Sequence, residues 1–143
     1  MIDSTFIERR VERIRGYYND INELLTLQEN FPRRLYFYYA IERVIQLVVD
    51  EMIDVNNHII AQKNFRVPDD FQSSFAILEE NSVLDRDLAM RLAPIVGLRN
   101  RLVHRYESVD RELMLTMMSA EKEDIQKYVT AVETYTLPKR EGI

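Results

Sequence analysis

The chain has 143 residues, of which 46% are hydrophobic and 10% aromatic, enough for a buried core, so the composition excludes an intrinsically disordered protein. The net charge of −5 argues against a protein that coats nucleic acid through a general positive field. Cysteine is absent, and neither a signal peptide nor an apolar run of membrane-spanning length is seen, so we expect one cytoplasmic domain over residues 1–143 with no membrane segment.

The first predicted element is a helix over residues 4–27. Leu, Ile, Met, Glu and Arg are abundant and glycine is rare, which favours helices throughout the chain. Thr5 and Glu8 resemble a capping box at its start, and Pro32 disfavours helix in the residue before it. The apolar residues that recur every three or four positions are Ile7, Val11, Ile14, Tyr18, Ile21 and Leu25.

The second predicted helix, residues 33–63, has the most regular apolar pattern in the chain. Its seam is formed by Tyr38, Ile41, Ile45, Val48, Met52, Val55 and Ile59. Asp54 and His58 lie four residues apart on this helix. They would either support a functional cleft from its second layer or satisfy each other at the bundle surface.

The remaining elements complete a bundle. Phe71, Phe75 and Leu78 indicate a short helix, and Asp85 is the expected cap of the fourth helix. Because Pro94 cannot donate the usual helical hydrogen bond, we expect a kink or restart near residues 93–94. Asp110 would cap the last helix. Four main helices and one short one predict an all-α, up-and-down bundle with antiparallel neighbours.

Basic charge is concentrated in the second half of the fourth helix. The stretch from Arg91 to Arg105 contains four arginines and no acidic residue. Arg99 continues the apolar stripe of this helix, where a guanidinium is costly unless it is paired or lines a cleft. Arg101 and Arg105 lie four residues apart on another face and look solvated, which makes them candidates for substrate binding.

His104 follows Arg99 by five residues, which corresponds to about 140° around an ideal helix. The two side chains therefore do not share a face. They could still converge if the helix ends near His104, if the long Arg99 side chain reaches around, or if a second subunit completes the cleft. Asn100 does share a face with His104, so its amide could orient the imidazole.

These residue types fit RNA cleavage without a metal ion. A neutral histidine can take the proton of a 2'-hydroxyl group, and an arginine can stabilise a dianionic phosphorane through its planar fork. No carboxylate cluster with metal-ligand spacing accompanies the motif. Spacing alone is weak evidence, because 15 arginines and two histidines give such a pair by chance about one time in five.

The pattern Arg99-Asn100-x-x-x-His104-x-Tyr106 resembles the R-x4-H-x-Y motif of HEPN-domain toxins, specifically the HepT-like ribonucleases of HEPN/MNT toxin–antitoxin pairs. The likeness covers nearly the whole chain. It includes the second-helix segment 54–60, the FxxxFxxL helix, and the run 92–106 followed by Val109-Asp110. The residue before the motif tyrosine is often glycine in relatives and is Arg105 here, which leaves details of the substrate open.

The resemblance implies a homodimeric bundle with the motif in a cleft between subunits, and a metal-independent endoribonuclease that needs no cofactor. His104 would act as base or acid, Arg99 would stabilise the transition state and Asn100 would orient the site. The substrate would be tRNA or mRNA. The implied partner is a cognate MNT-type nucleotidyltransferase that transfers AMP to Tyr106, and the added anionic bulk would block the cleft.

Other interpretations of the same residues stay open. Arg99 could be a structural arginine paired with an acid of the second helix, and His104 a helix-terminal histidine favoured by the macrodipole. From physics alone, Tyr106 is an amphipathic residue at the core edge. The protein would then be a non-catalytic HEPN-like module that binds a nucleotide or a partner, or a helical adaptor that uses its aromatic seam.

Overall fold

The computed structural model describes residues 1–30, 35–70, 72–104 and 109–137, and these residues form five α-helices without a strand. Phe71, Arg105 and Tyr106, on which sequence predictions rest, lie outside the described residues. The helices are α1 (Ser4–Asn30), α2 (Leu35–Gln62), α3 (Ser73–Glu80), α4 (Arg86–His104) and α5 (Arg111–Thr136).

The four long helices form a closed ring in the order α1, α2, α4, α5, and α3 packs on α2 and α4. Ring neighbours run antiparallel, since contacts join the start of one helix to the end of the next. The amino group of Met1 donates to Gln62 Oε1 at 2.9 Å, and Arg15 reaches Glu133 at 2.6 Å. The predicted all-α, up-and-down bundle is therefore confirmed.

The core consists of the helix faces that the sequence pattern predicted. All six apolar positions predicted for α1 are buried. The seam of α2 is buried from Ile41 to Ile59, whereas Tyr38 is only half-buried and its neighbour Phe37 takes the inward position at the first turn. No helix within the described ranges is both long and apolar enough to cross a membrane.

Aspartate side chains cap three helices. Asp85 Oδ1 accepts from the backbone amide of Leu88 at 2.7 Å, and Asp110 Oδ1 accepts from Leu113 at 3.1 Å, which confirms both predicted caps. The predicted Thr5 capping box is wrong. The cap of α1 is instead Asp3, which lies one residue before the helix begins. Its Oδ1 accepts from the backbone amides of Thr5 and Phe6.

Of the kink or restart predicted near Pro94, the restart is wrong, because α4 is continuous through this residue. Proline removes one backbone donor and crowds the preceding turn. The apolar face around it is nevertheless anchored, with Leu92, Ile95 and Val96 buried against the rest of the bundle. Packing of this stripe outweighs the local cost, so Arg99 and His104 remain on the same helix as the core residues before them.

A buried polar network joins three helices in the centre of the bundle. The hydroxyl of Tyr128 on α5 donates to the backbone oxygen of Met52 at 3.0 Å and is also bonded to Asn56 Oδ1. The Asn56 amide nitrogen in turn donates to Ser74 Oγ on α3 at 3.0 Å. Burial raises the pKa of Tyr128 well above its ordinary value. The network fixes the register of α2, α3 and α5.

Candidate active site at the end of helix α4

Arg99 lies on the inner side of α4, where its side chain is only 16% exposed and faces Asp50 of α2. Nε donates to Asp50 Oδ1 at 2.7 Å, and Nη2 lies 2.6 Å from the same oxygen. Asp50 is 38% exposed, so the pair borders solvent. A permanently charged guanidinium is therefore held in one position at the edge of the core, and pairing removes most of the cost of placing it there.

Asn100 contacts this arginine and is itself largely enclosed. Its Oδ1 accepts from Arg99 Nη1 at 3.2 Å. Its Nδ2 is buried and has no hydrogen-bond partner among the described residues. The two contacts to Arg99 engage at most three of the five guanidinium N–H groups, so donors remain for an additional anion. The structure thus shows Asn100 supporting Arg99, whereas the predicted contact with the imidazole is not among its described bonds.

His104 is the last residue of α4 and is exposed. Because α4 is continuous from Arg99 to His104, the offset of about 140° between the two side chains persists within one chain. Arg99 is directed at α2, and the imidazole is presented at the end of the helix. A shared phosphate therefore requires a long reach from the end of α4 or a contribution from a second chain.

Asp54 and His58 make their contacts with the amino-terminal part of the chain. Asp54 Oδ2 accepts from Arg10 Nη1 of α1 at 3.0 Å, and Nε2 of His58 accepts from the backbone amide of Asp3, just before α1, at 3.1 Å. The imidazole also stacks on Phe6 with 4.5 Å between ring centroids, and burial lowers its pKa. The two side chains are therefore bonded to Arg10 and Asp3 and not to each other.

Arg101 lines a cavity of about 760 Å³ between α2, the end of α4 and the start of α5. This position, three residues before His104, places the two side chains on neighbouring positions of one helix face. The cavity is lined by Tyr39, Glu42, Arg43, Gln46, Arg101, Leu102, Val109 and Arg111. The sequence predicted Arg101 as a solvated candidate for substrate binding, and Arg101 is exposed. The cavity residues of α2 and α5 were not predicted from the sequence.

An acid of the second helix was one predicted partner for Arg99, and Asp50 is that acid. The sequence did not single out Asp50 itself, although a signal for it exists. Tyr39, Arg43, Gln46 and Asp50 follow one another at spacings of four, three and four, so they form one polar stripe on a mostly apolar helix. Such a stripe indicates a face that borders solvent or a site. Tyr39, Arg43 and Gln46 of this stripe line the cavity, and Asp50 pairs with Arg99. The cavity and the Arg99–Asp50 ion pair therefore lie in one region of the bundle.

Within the described ranges, no group of three or more histidine or acidic side chains is arranged to hold a metal ion. The region contains Arg99, which is ion-paired with Asp50, its neighbour Asn100, and His104 at the end of α4.

The chain belongs to the family described as ribonuclease HepT-like, whose family model matches residues 7–132. A relative from Aphanizomenon flos-aquae, named tRNA nuclease HepT, is 30% identical over 146 residues and covers 98% of this chain and 96% of its own. A relative from Shewanella oneidensis, named mRNA nuclease HepT, is 26% identical over 130 residues, covering 89% and 90%.

The fold is shared with a solved toxin–antitoxin structure. A tri-AMPylated Shewanella oneidensis HEPN toxin, in complex with an MNT antitoxin, superposes with a TM-score of 0.84 at 22% identity. The match covers 94% of this chain and 99% of that chain. The family resemblance stated from the Arg99–Tyr106 motif is confirmed by the family model and by this fold.

Proposed function

We propose that this protein is a metal-independent endoribonuclease toxin of a HEPN/MNT toxin–antitoxin pair. The observation that carries the proposal is the position of Arg99 on the helix that ends in the exposed His104. Asp50 and Asn100 hold the guanidinium and leave some of its N–H groups unused. Two family members similar over most of the chain are named nucleases, one of tRNA and one of mRNA, so RNA is the proposed substrate class.

In the proposed reaction, neutral His104 accepts the proton of a ribose 2'-hydroxyl group, and the freed oxygen forms a bond to the adjacent phosphorus. The bond from phosphorus to the 5'-oxygen breaks, and the leaving oxygen takes up a proton. The products are a 2',3'-cyclic phosphate and a 5'-hydroxyl end. Arg99 stabilises the negative charge that develops on the phosphoryl oxygens through the N–H groups that Asp50 and Asn100 leave unused.

A homodimer is part of the proposal. Arg99 is directed towards α2, and His104 lies about 140° away around α4. A second chain placed against this end of the bundle would bring an imidazole of one subunit near the guanidinium of the other. The prediction that the two groups act on one phosphate depends on such a cleft or on the long reach of the arginine side chain.

Regulation would follow from AMP transfer to Tyr106 by a cognate MNT-type nucleotidyltransferase. The support is the AMPylated toxin with its MNT antitoxin, which shares this fold. Tyr106 comes two residues after His104, so an added nucleotide would place a bulky anion beside the proposed catalytic base. Arg105, between the two, is the predicted second RNA-binding arginine besides Arg101.

A second candidate function is a non-catalytic module that binds a nucleotide or a partner. The pairing of Arg99 with Asp50 favours it, because a carboxylate at 2.6 Å already neutralises the charge that a transition state would need. Such a protein would be stabilised against heat by AMP or ATP and would leave RNA intact. Turnover of RNA by the purified protein would reject this candidate.

The proposed function is tested by expression in a bacterial host. Induction of the wild-type chain should arrest growth, and His104→Gln should restore it. His58→Gln is the matched control, because it removes the only other histidine, which lies on α2 and contacts Asp3, and it should leave the arrest in place. Co-expression of the nucleotidyltransferase should restore growth with one or more AMP groups on Tyr106, detected by mass spectrometry. Equal arrest by the wild-type chain and His104→Gln would reject the assignment.

A further inference from the structure

The cavity beside Arg99 and His104 is lined by cationic, aromatic and polar side chains. Its volume of about 760 Å³ falls within the range of roughly 300–1,000 Å³ that small-ligand pockets occupy. Its described wall comes from α2, the end of α4, Val109 and the first turn of α5.

The described residues of the cavity wall carry a charge opposite to that of the chain. They include three arginines and one carboxylate, that of Glu42. That carboxylate is already bound by Arg111 Nε at 3.3 Å. Arg43 donates to the neutral Gln46 at 3.2 Å. Among the described residues, Arg43 and Arg101 have no carboxylate partner and can contact an anion, in a protein whose net charge is −5.

An exposed aromatic ring stands beside these cations. Tyr39 is 57% exposed although it is a large hydrophobic side chain. The guanidinium of Arg111 lies 5.7 Å from its ring centroid and 5.0 Å from that of Tyr38. These contacts and the ion pair with Glu42 hold Arg111 beside Tyr39. Much of the Tyr39 side chain remains open to solvent.

The cavity is contiguous with the proposed catalytic residues on two sides. Gln46, at its wall, precedes Asp50 by one helical turn, which is about 6 Å along the axis. Arg101, at the opposite wall, precedes His104 by three residues, or about 4.5 Å along the axis. A nucleotide in the cavity would thus place its phosphate within one nucleotide length of both Arg99 and His104.

We propose that this cavity is a subsite for one unpaired nucleotide of the RNA, next to the phosphate that is cut. The base stacks on Tyr39, and the flanking phosphates contact Arg43 and Arg101. Stacking on an aromatic ring requires an unpaired base, whereas phosphate contacts accept any sequence. The subsite therefore selects single-stranded RNA and helps to fix where the chain is cut. This inference rests on the proposed ribonuclease function.

The test measures RNA binding in the full-length chain with His104→Gln, so that substrate is not consumed. A labelled single-stranded RNA and a duplex of the same sequence are titrated by fluorescence anisotropy at several salt concentrations. Tyr39→Ala should weaken binding of the single strand about tenfold through lost stacking and leave the duplex unchanged. Arg43→Gln and Arg101→Gln should each reduce the slope of log affinity against log salt by about 0.7 for the single strand.

Two matched controls are available on the same helices. Tyr36→Ala removes a tyrosine of α2 that is 73% exposed and does not line the cavity, and Arg86→Gln removes an exposed arginine at the far end of α4. Neither control should change affinity for the single strand. Tyr39→Phe keeps the ring and should bind like the parent protein, which separates stacking from any effect on folding.

Four results would overturn the subsite. One is equal binding by Tyr39→Ala and Tyr36→Ala, with unchanged salt slopes for both arginine variants. Another is a change of oligomeric state in Tyr39→Ala or Arg43→Gln, measured by sedimentation, which would assign this surface to a subunit contact. If the wild-type chain cleaves RNA while the variants cut at the same positions with the same KM, the subsite fails and the ribonuclease stands. If the parent protein binds no RNA at all, both proposals fail.

Discussion

Arg99 and Asp50 form an ion pair that joins α4 to α2, with 2.6 Å between Nη2 and Oδ1. The pair lies at the edge of the core, with the arginine 16% and the aspartate 38% exposed. Such a pair can act as a structural tie, or it can orient the guanidinium towards a substrate. The two roles make different predictions, because only orientation should change the chemical step.

Asp50→Asn separates these roles. If Asp50 orients Arg99, kcat for RNA cleavage should fall by about ten- to a hundredfold, because misplacing a catalytic group slows the chemical step by about that factor. KM should change less. Asp50→Glu keeps the carboxylate and should recover part of kcat. Glu51→Gln is the matched control, because the neighbouring carboxylate pairs with Arg10 and Arg13 of α1 instead. A loss of thermal stability in Asp50→Asn with normal kcat would make the pair purely structural.

Tyr128→Phe should lower the free energy of unfolding by about 1–3 kcal/mol. The variant lacks the buried hydroxyl that is bonded to the backbone oxygen of Met52 and to Asn56 Oδ1. The measurement is urea denaturation of both proteins at one pH. Tyr135→Phe on the same helix removes a hydroxyl from a half-buried ring and serves as the control. Equal small shifts in the two variants would contradict the role of the central network.

His58 should make stability depend on pH. Burial lowers its pKa below the ordinary value of 6.5, so the folded state favours the neutral imidazole that accepts from Asp3. The stabilisation is present above about pH 6.5 and is lost as pH falls through the lowered pKa of the folded state, since the unfolded chain binds the proton first.

Urea denaturation of the wild-type chain and His58→Gln on both sides of this window checks the prediction. The free energy of unfolding of the wild-type chain should fall more steeply on acidification than that of the variant. The sign follows from the unfolded state binding more protons in this range. Parallel pH profiles for the two proteins would show that His58 carries no such linkage.

Periodicity was sufficient for the fold because helix faces are local properties of the sequence. The six apolar positions of α1 and the seam of α2 lie where spacing placed them. Features that depend on geometry at one residue were less predictable. Asp3 outcompetes Thr5 as the cap of α1, and packing carries α4 through Pro94. In both cases a local rule was overridden by a neighbouring side chain or by tertiary burial.

The candidate site was predictable in its residue types and less so in its contacts. Spacing identified Arg99 as a polar residue on an apolar stripe, and the structure places it there. Pairing with an acid of the second helix was one of the predicted alternatives and is confirmed. Which acid it would be could not be predicted from α4, because Asp50 lies 49 residues away in sequence and meets Arg99 only through helix packing. Mutual pairing of Asp54 and His58 was one of two predicted alternatives, yet Arg10 of α1 and Asp3 just before it bind them instead.

The central claim is tested most directly by cleavage of RNA in EDTA, with analysis of the product ends. The wild-type chain should cut in EDTA and leave a 2',3'-cyclic phosphate and a 5'-hydroxyl group. His104→Gln should lower the rate by about a hundred- to ten-thousandfold, the usual contribution of a general acid or base, while His58→Gln stays active. Loss of cleavage in EDTA, ends with a 3'-hydroxyl and a 5'-phosphate, or full activity of His104→Gln would contradict the account.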